Sequence, residues 1–144
     1  MKKSIKVGAL AIAGAMALAA CSSGSGGGGA VVVGTDLPLQ GASADASKAT
    51  NQAIALLLEQ VGGKAGNYTV TIKQYDNSTA AKGAWDDAQC AKNAQDHVAN
   101  VSEVAVMGTY NSGCAKIILP VLNQDPTGPM LMVSHANTNP GLTV

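Results

Sequence analysis

The sequence has no arginine and no phenylalanine. Its aromatic residues are Tyr68, Tyr75, Trp85 and Tyr110 alone. All nine basic side chains are lysines, and three of them (Lys2, Lys3, Lys6) fall at the very start. Residues 21–144 therefore carry six lysines against nine carboxylates, a net charge of −3. Nucleic acid calls for clustered lysine and arginine, so this chain lacks the electrostatic footprint for it. A core without phenylalanine must be built from Ala, Val, Ile and Leu, which suits helices packed closely on a sheet better than an all-β sandwich. No strand-Gly-x-Gly-x-x-Gly-helix unit is present, which removes support for a dinucleotide enzyme. No Gly-x-Ser-x-Gly elbow is present either. His97 and His135 do not combine with the cysteines at any usual zinc spacing, so no metal and no cofactor are expected.

What is present begins with an export leader. A short positive segment precedes an uninterrupted apolar run from Val7 to Ala20, which ends Leu18-Ala19-Ala20-Cys21. That order marks a secretory signal peptide over residues 1–20. Fourteen residues at about 1.5 Å each reach roughly 21 Å, short of the roughly 30 Å hydrocarbon core, so the run is not expected to stay in the membrane as a spanning helix. Leu-Ala-Ala-Cys resembles the bacterial lipobox, which implies that Cys21 is lipidated and becomes the first mature residue. Ser22 to Gly29 is a glycine-serine tether, so residues 21–29 read as an anchor and spacer.

Residues 30–144 are long enough for one modest core. Val31-Val32-Val33 is a short continuous apolar run, as in a strand buried on both faces. From Ser43 the period becomes helical: Ala46, Ala49, Ala53, Ile54, Leu57, Leu58 and Val61 form one apolar face, and Gly62-Gly63 ends the helix. Tyr68 to Tyr75 alternates and is rich in β-formers. A second helix is expected from Ala80 to about Val98, with Ala84, Ala88, Ala91 and Val98 inward. Val104–Met107 is a third strand. Ser112–Asn123 is a third helix, with Ile117, Ile118, Val121 and Leu122 inward and Pro120 as a source of bending. Met130–Val133 is a fourth strand.

Strands alternating with helices predict an α/β three-layer sandwich around a parallel sheet. Ligands of such sheets bind beyond the carboxyl ends of the strands. The segments there are Asp36–Ala46, Asp76–Thr79, Thr109–Gly113 and Ser134–Thr138, all rich in hydroxyls, amides and small residues.

Leu37-Pro38-Leu39-Gln40-Gly41, Tyr75-Asp76, Gly108-Thr109-Tyr110-Asn111-Ser112-Gly113-Cys114 and Ser134 to Thr143 resemble the substrate-binding proteins of branched-chain amino acid ABC importers. The resemblance implies the first lobe of a type I periplasmic binding fold over residues 30–144, truncated, with the second lobe absent. It implies that Ser112 meets a ligand α-carboxylate, and that Ala136, through its backbone, and Thr138 help hold the ligand's carboxylate and amino groups. Ala46 stands where such proteins often place an aromatic, so the side-chain pocket departs from the pattern. For Ser112 the structural alternative is a helix N-cap, and for Thr138 a turn residue before Asn139-Pro140.

Cys90 and Cys114 remain as an even pair in an exported chain. They are expected to form a disulfide if parallel topology makes their helices neighbours, or else to stay as two separate buried thiols. Function follows from these expectations: a non-enzymatic, lipid-anchored extracytoplasmic binding protein. It would take a small amino acid or amide and deliver it to ABC permease subunits. A sensory lobe of the same fold is the alternative. An exported hydrolase is remoter and would need Ser112 and His135 to meet as nucleophile and base. One lobe alone is expected to bind weakly or not at all.

Overall fold

The computed structural model describes residues 28–143. The leader (1–20), Cys21 and most of the tether lie outside the described residues. The chain forms β1 (Ala30–Leu37), a 3-10 turn (Gly41–Ser43), α1 (Ala44–Gln60), β2 (Lys64–Ala65) and β3 (Tyr68–Asp76). It continues with β4 (Ser78–Thr79), β5 (Ala84–Trp85), α2 (Asp87–Ala99) and β6 (Glu103–Gly108). It ends with α3 (Ser112–Leu122), β7 (Leu131–Val133) and a second 3-10 turn (Pro140–Leu142).

The main sheet runs β2-β3-β1-β6-β7. β3, β1, β6 and β7 are parallel, from Ala30 against Thr69 to Leu37 against Asp76 on one side of β1, and through Asp36 against Gly108 on the other. The two-residue β2 is antiparallel to β3, a departure from an all-parallel sheet. No described helix is long and apolar enough to cross a membrane.

The core lies where α2 and α3 meet β6. Cys90 and Ala94 of α2, Cys114, Ile118 and Leu122 of α3, Val106 and Met130 form one buried cluster, with Trp85, Val98 and Met132 at its margin. Cys90 and Cys114 are bonded, with Cα atoms 5.6 Å apart. Ile118 and Leu122 are inward as their spacing predicts. Pro120 falls in the last turn of α3, where its missing N–H costs one bond and the helix still reaches Leu122.

Three expectations about the helices fail. The second helix starts at Asp87, because the chain first folds back as a β4–β5 hairpin, Ser78 against Trp85, with Gly83 at φ +58°. Asp86 then caps α2: its backbone is extended and its carboxylate accepts the Gln89 N–H at 3.1 Å. Consequently the inward residues of α2 are Cys90, Asn93, Ala94 and His97, while Ala88 and Ala91 are exposed and Ala84 lies in β5. Third, the apolar stripe of α1 is not buried. Ser47 and Asn51 are its buried residues, and Leu57 and Val61 are 62% and 59% exposed. Edge residues Leu131 and Val133 of β7 are exposed as well. Periodicity identifies an apolar stripe but not what covers it. Gly62 and Gly63 do end α1, both at positive φ.

Candidate functional site

The carboxyl ends of β1, β6 and β7 carry the rim. The β6–α3 and β7–turn loops are tied together by two hydroxyls. Ser134 Oγ donates to the Thr109 carbonyl at 2.8 Å and accepts the N–H groups of Ala136 (3.2 Å) and Asn137 (3.0 Å). Ser112 Oγ accepts the N–H groups of Thr138 (3.2 Å) and Asn139 (3.3 Å). Ser112 and Thr138 are thus in direct contact, and Ala136 lies in the same loop. The N–H of Ala136 is engaged, which leaves its carbonyl as the backbone group it can offer.

Ser112 is not the N-cap; Asn111 holds that position, extended and without a side-chain cap bond. The Ser112 hydroxyl accepts two bonds and still has its own proton to donate. It lies at the start of an 11-residue helix whose leading N–H groups have no intrahelical acceptor. That combination suits an anion. Gly113 lets the Trp85 indole close against the helix start: a Cβ there would lie 2.4 Å from the ring.

His135 does not meet Ser112 as a base. Its Nε2 lies 3.3 Å from Thr50 Oγ1, and its ring is edge-on to Tyr110 at 5.9 Å. Ala46 is exposed on α1, and its carbonyl accepts the Thr50 hydroxyl. A cavity of about 350 Å³ lies beside α1, lined by Leu39, Lys48, Asn51, Gln52, Ala55 and Gln74. Ser112, Ala136 and Thr138 are not among its walls.

Sequence reasoning placed Asp76–Thr79 at the rim without its internal wiring. Asp76 Oδ1 accepts the N–H groups of Leu39 (3.0 Å) and Ser78 (2.8 Å) and the Ser78 hydroxyl, and Oδ2 accepts Gln40 Nε2 at 2.8 Å. Ser78 Oγ accepts the Gln40 N–H at 2.9 Å. The loop after β1 is therefore latched to the end of β3. Burial opposes ionisation of Asp76, but the bonds from Ser78, Leu39 and Gln40 outweigh it and hold the carboxyl below its usual range. The Asp-x-Ser spacing of an Asx turn was the available signal.

Behind the rim lies a buried charge cluster that sequence reasoning missed. His97 Nε2 is 3.0 Å from Asp36 Oδ2, and His97 Nδ1 is 2.5 Å from Glu103 Oε1, all three residues being buried. Glu103 Oε2 also accepts the Tyr75 hydroxyl (2.7 Å) and Asn100 Nδ2 (3.1 Å). Asp36 Oδ1 accepts Asn77 Nδ2 at 2.8 Å. The Tyr75 and His97 rings are 4.1 Å apart. Burial pulls His97 down, yet the bonds to Asp36 and Glu103 win and hold its imidazole above the ordinary histidine value. Burial, then the bond to Glu103, raises Tyr75.

Gly34 makes room for this cluster, since a Cβ there would lie 2.2 Å from Glu103 Oε1 and 3.0 Å from His97 Cε1. Gly34→Ala is expected to cost about 1–3 kcal/mol as an overpacked site, read as a lower urea midpoint at unchanged slope.

No protein-family model and no curated protein matches the chain. Solved structures do. A branched-chain amino acid transporter substrate-binding protein from Streptococcus pneumoniae, in complex with isoleucine, is 18% identical with a TM-score of 0.66, covering 79% of this chain and 31% of that one. A leucine-binding protein from Thermotoga maritima is 19% identical with a TM-score of 0.65, covering 78% and 29%. A solute-binding protein of an ABC transporter from R. palustris, in complex with 4-hydroxybenzoate, is 20% identical with a TM-score of 0.66, covering 79% and 29%. The chain thus spans less than a third of the length of each. These likenesses show the fold, which is that of a type I periplasmic binding protein lobe.

Proposed function

We propose that the rim formed by Ser112, Ala136 and Thr138 binds a small carboxylate-bearing solute, amino acids first among them. The carrying observation is Ser112: its hydroxyl accepts two backbone N–H groups, which leaves its proton for an anion at the start of α3. The solutes bound in two of the structural neighbours, isoleucine and 4-hydroxybenzoate, share a carboxylate and little else. On this reading the protein binds and does not catalyse, and His135 is engaged with Thr50 Oγ1 and the Tyr110 ring. Cys21 carries the lipid that holds it on the outer side of the cytoplasmic membrane, and the tether lets it hand its solute to ABC permease subunits.

One lobe meets a ligand from one side, so the expected affinity of this chain alone is weak, on the order of millimolar. Ser112→Ala removes a hydrogen bond to a charged group, about 1.5–3 kcal/mol, and should weaken binding of L-isoleucine or L-leucine at least roughly tenfold. Titrations followed by NMR on wild type and variant check this. Equal affinity would remove Ser112 from the site, and micromolar binding by the lone lobe would overturn the one-sided geometry.

A further inference from the structure

We propose that Asp36, His97 and Glu103 form a proton-gated lock beneath the rim: the imidazolium holds two buried carboxylates together, and loss of its proton loosens the loop after β1. The cluster joins three elements, with Asp36 on β1, His97 near the end of α2 and Glu103 at the start of β6. Each ring nitrogen faces a different carboxylate, so a single proton decides whether both have a cationic partner. The other charged or titratable groups around it are few. From β3, Tyr75 bonds Glu103 and stacks beside His97, and Lys73 Nζ lies 4.4 Å from the Tyr75 ring centroid. On α2, Asp96 is the neighbouring carboxylate. Asn77 and Asn100 supply neutral donors. None of these is positioned to replace the imidazolium between Asp36 and Glu103. Without it two carboxylates remain buried with one cation fewer, and a buried unpaired charge is strongly unfavourable.

The connection to the rim is a short path of hydrogen bonds through adjacent residues. Asp36 holds Asn77 Nδ2, and the Asn77 N–H donates to the Leu37 carbonyl at 3.2 Å. Asn77 lies between Asp76 and Ser78, the residues that hold the N–H groups of Leu39 and Gln40. Asn93 of α2 also donates to the Asp76 carbonyl at 3.1 Å. Releasing Asp36 from His97 therefore frees the inner end of this chain of bonds. This holds whatever the rim binds.

The test follows the His97 ring by NMR across pH 6 to 10 in the unmodified chain, with amide exchange protection measured at Leu39, Gln40 and Ser78. A single titration of His97, accompanied over the same range by a loss of protection on the order of tenfold at those amides, is expected. Glu103→Gln takes away one carboxylate, and both transitions should move together to lower pH. A His97 ring that titrates with no change in protection would overturn the lock. So would a protection change that stays in place when the His97 midpoint moves.

Discussion

Replacing His97 by leucine is expected to destabilise the fold by about 3–5 kcal/mol, because it strands Asp36 and Glu103 as buried carboxylates with no cation. A domain of this size has only about 5–15 kcal/mol in total, so the urea midpoint should fall by a large fraction. Adding Asp36→Asn and Glu103→Gln to His97→Leu should recover much of the loss, since the penalty lies in the unpaired charges and not in the imidazole itself. A midpoint unchanged by His97→Leu would contradict the ion-pair reading. The pH dependence has a definite sign. His97 is raised in the folded state, so its contribution is complete below the ordinary value of 6.5 and is lost as pH rises through the folded value. Asp76 is depressed, so its contribution is present above the ordinary 3.8 and is lost as pH falls through the folded value. Stability should therefore be greatest in the mildly acidic range between these two limits.

Breaking the Cys90–Cys114 bridge should be nearly as costly. The bond joins residues 24 apart in sequence, and closing a loop of that size is worth roughly 3.5 kcal/mol in the chain-entropy model. Both sulfurs are fully buried in the α2–α3 core, so Cys90→Ala with Cys114→Ala also removes packed volume there. The double variant is expected to lower the urea midpoint strongly, and reductant should do the same to wild type while leaving the variant unmoved. If reductant leaves the wild-type midpoint in place, the bridge contributes nothing.

The order of strands and helices was legible because β1, β3 and β6 are apolar or alternating runs closed by polar loops, and Gly62-Gly63 punctuates α1. The hairpin before α2 was not. Ala80 to Ala88 carries alanines at helical spacing, and the decision to fold back rests on Gly83 and on the Asp86 cap, which are local conformations that periodicity does not register. Strand order placed Ser112 and Thr138 on one rim and the family resemblance gave both a ligand role, but their direct bond was not foreseen, since residues 26 apart have no local signal of contact. The His97 cluster was illegible for a related reason. Its members lie 61 and 6 residues apart, on three elements, and a lone histidine in a helix reads as surface until the sheet brings Asp36 beneath it. The exposed stripe on α1 shows the reverse failure, a clear pattern whose cover the sequence does not name.

Solute is expected to bind where Ser112 meets the loop after β7. The direct measurement is a backbone amide NMR map while L-isoleucine is added to millimolar excess. Shifts concentrated at Gly113, Cys114, Thr138 and Asn139 are expected. Shifts confined to the cavity walls at Lys48, Gln52 and Gln74, or no shifts at the Ser112 helix start, would contradict it.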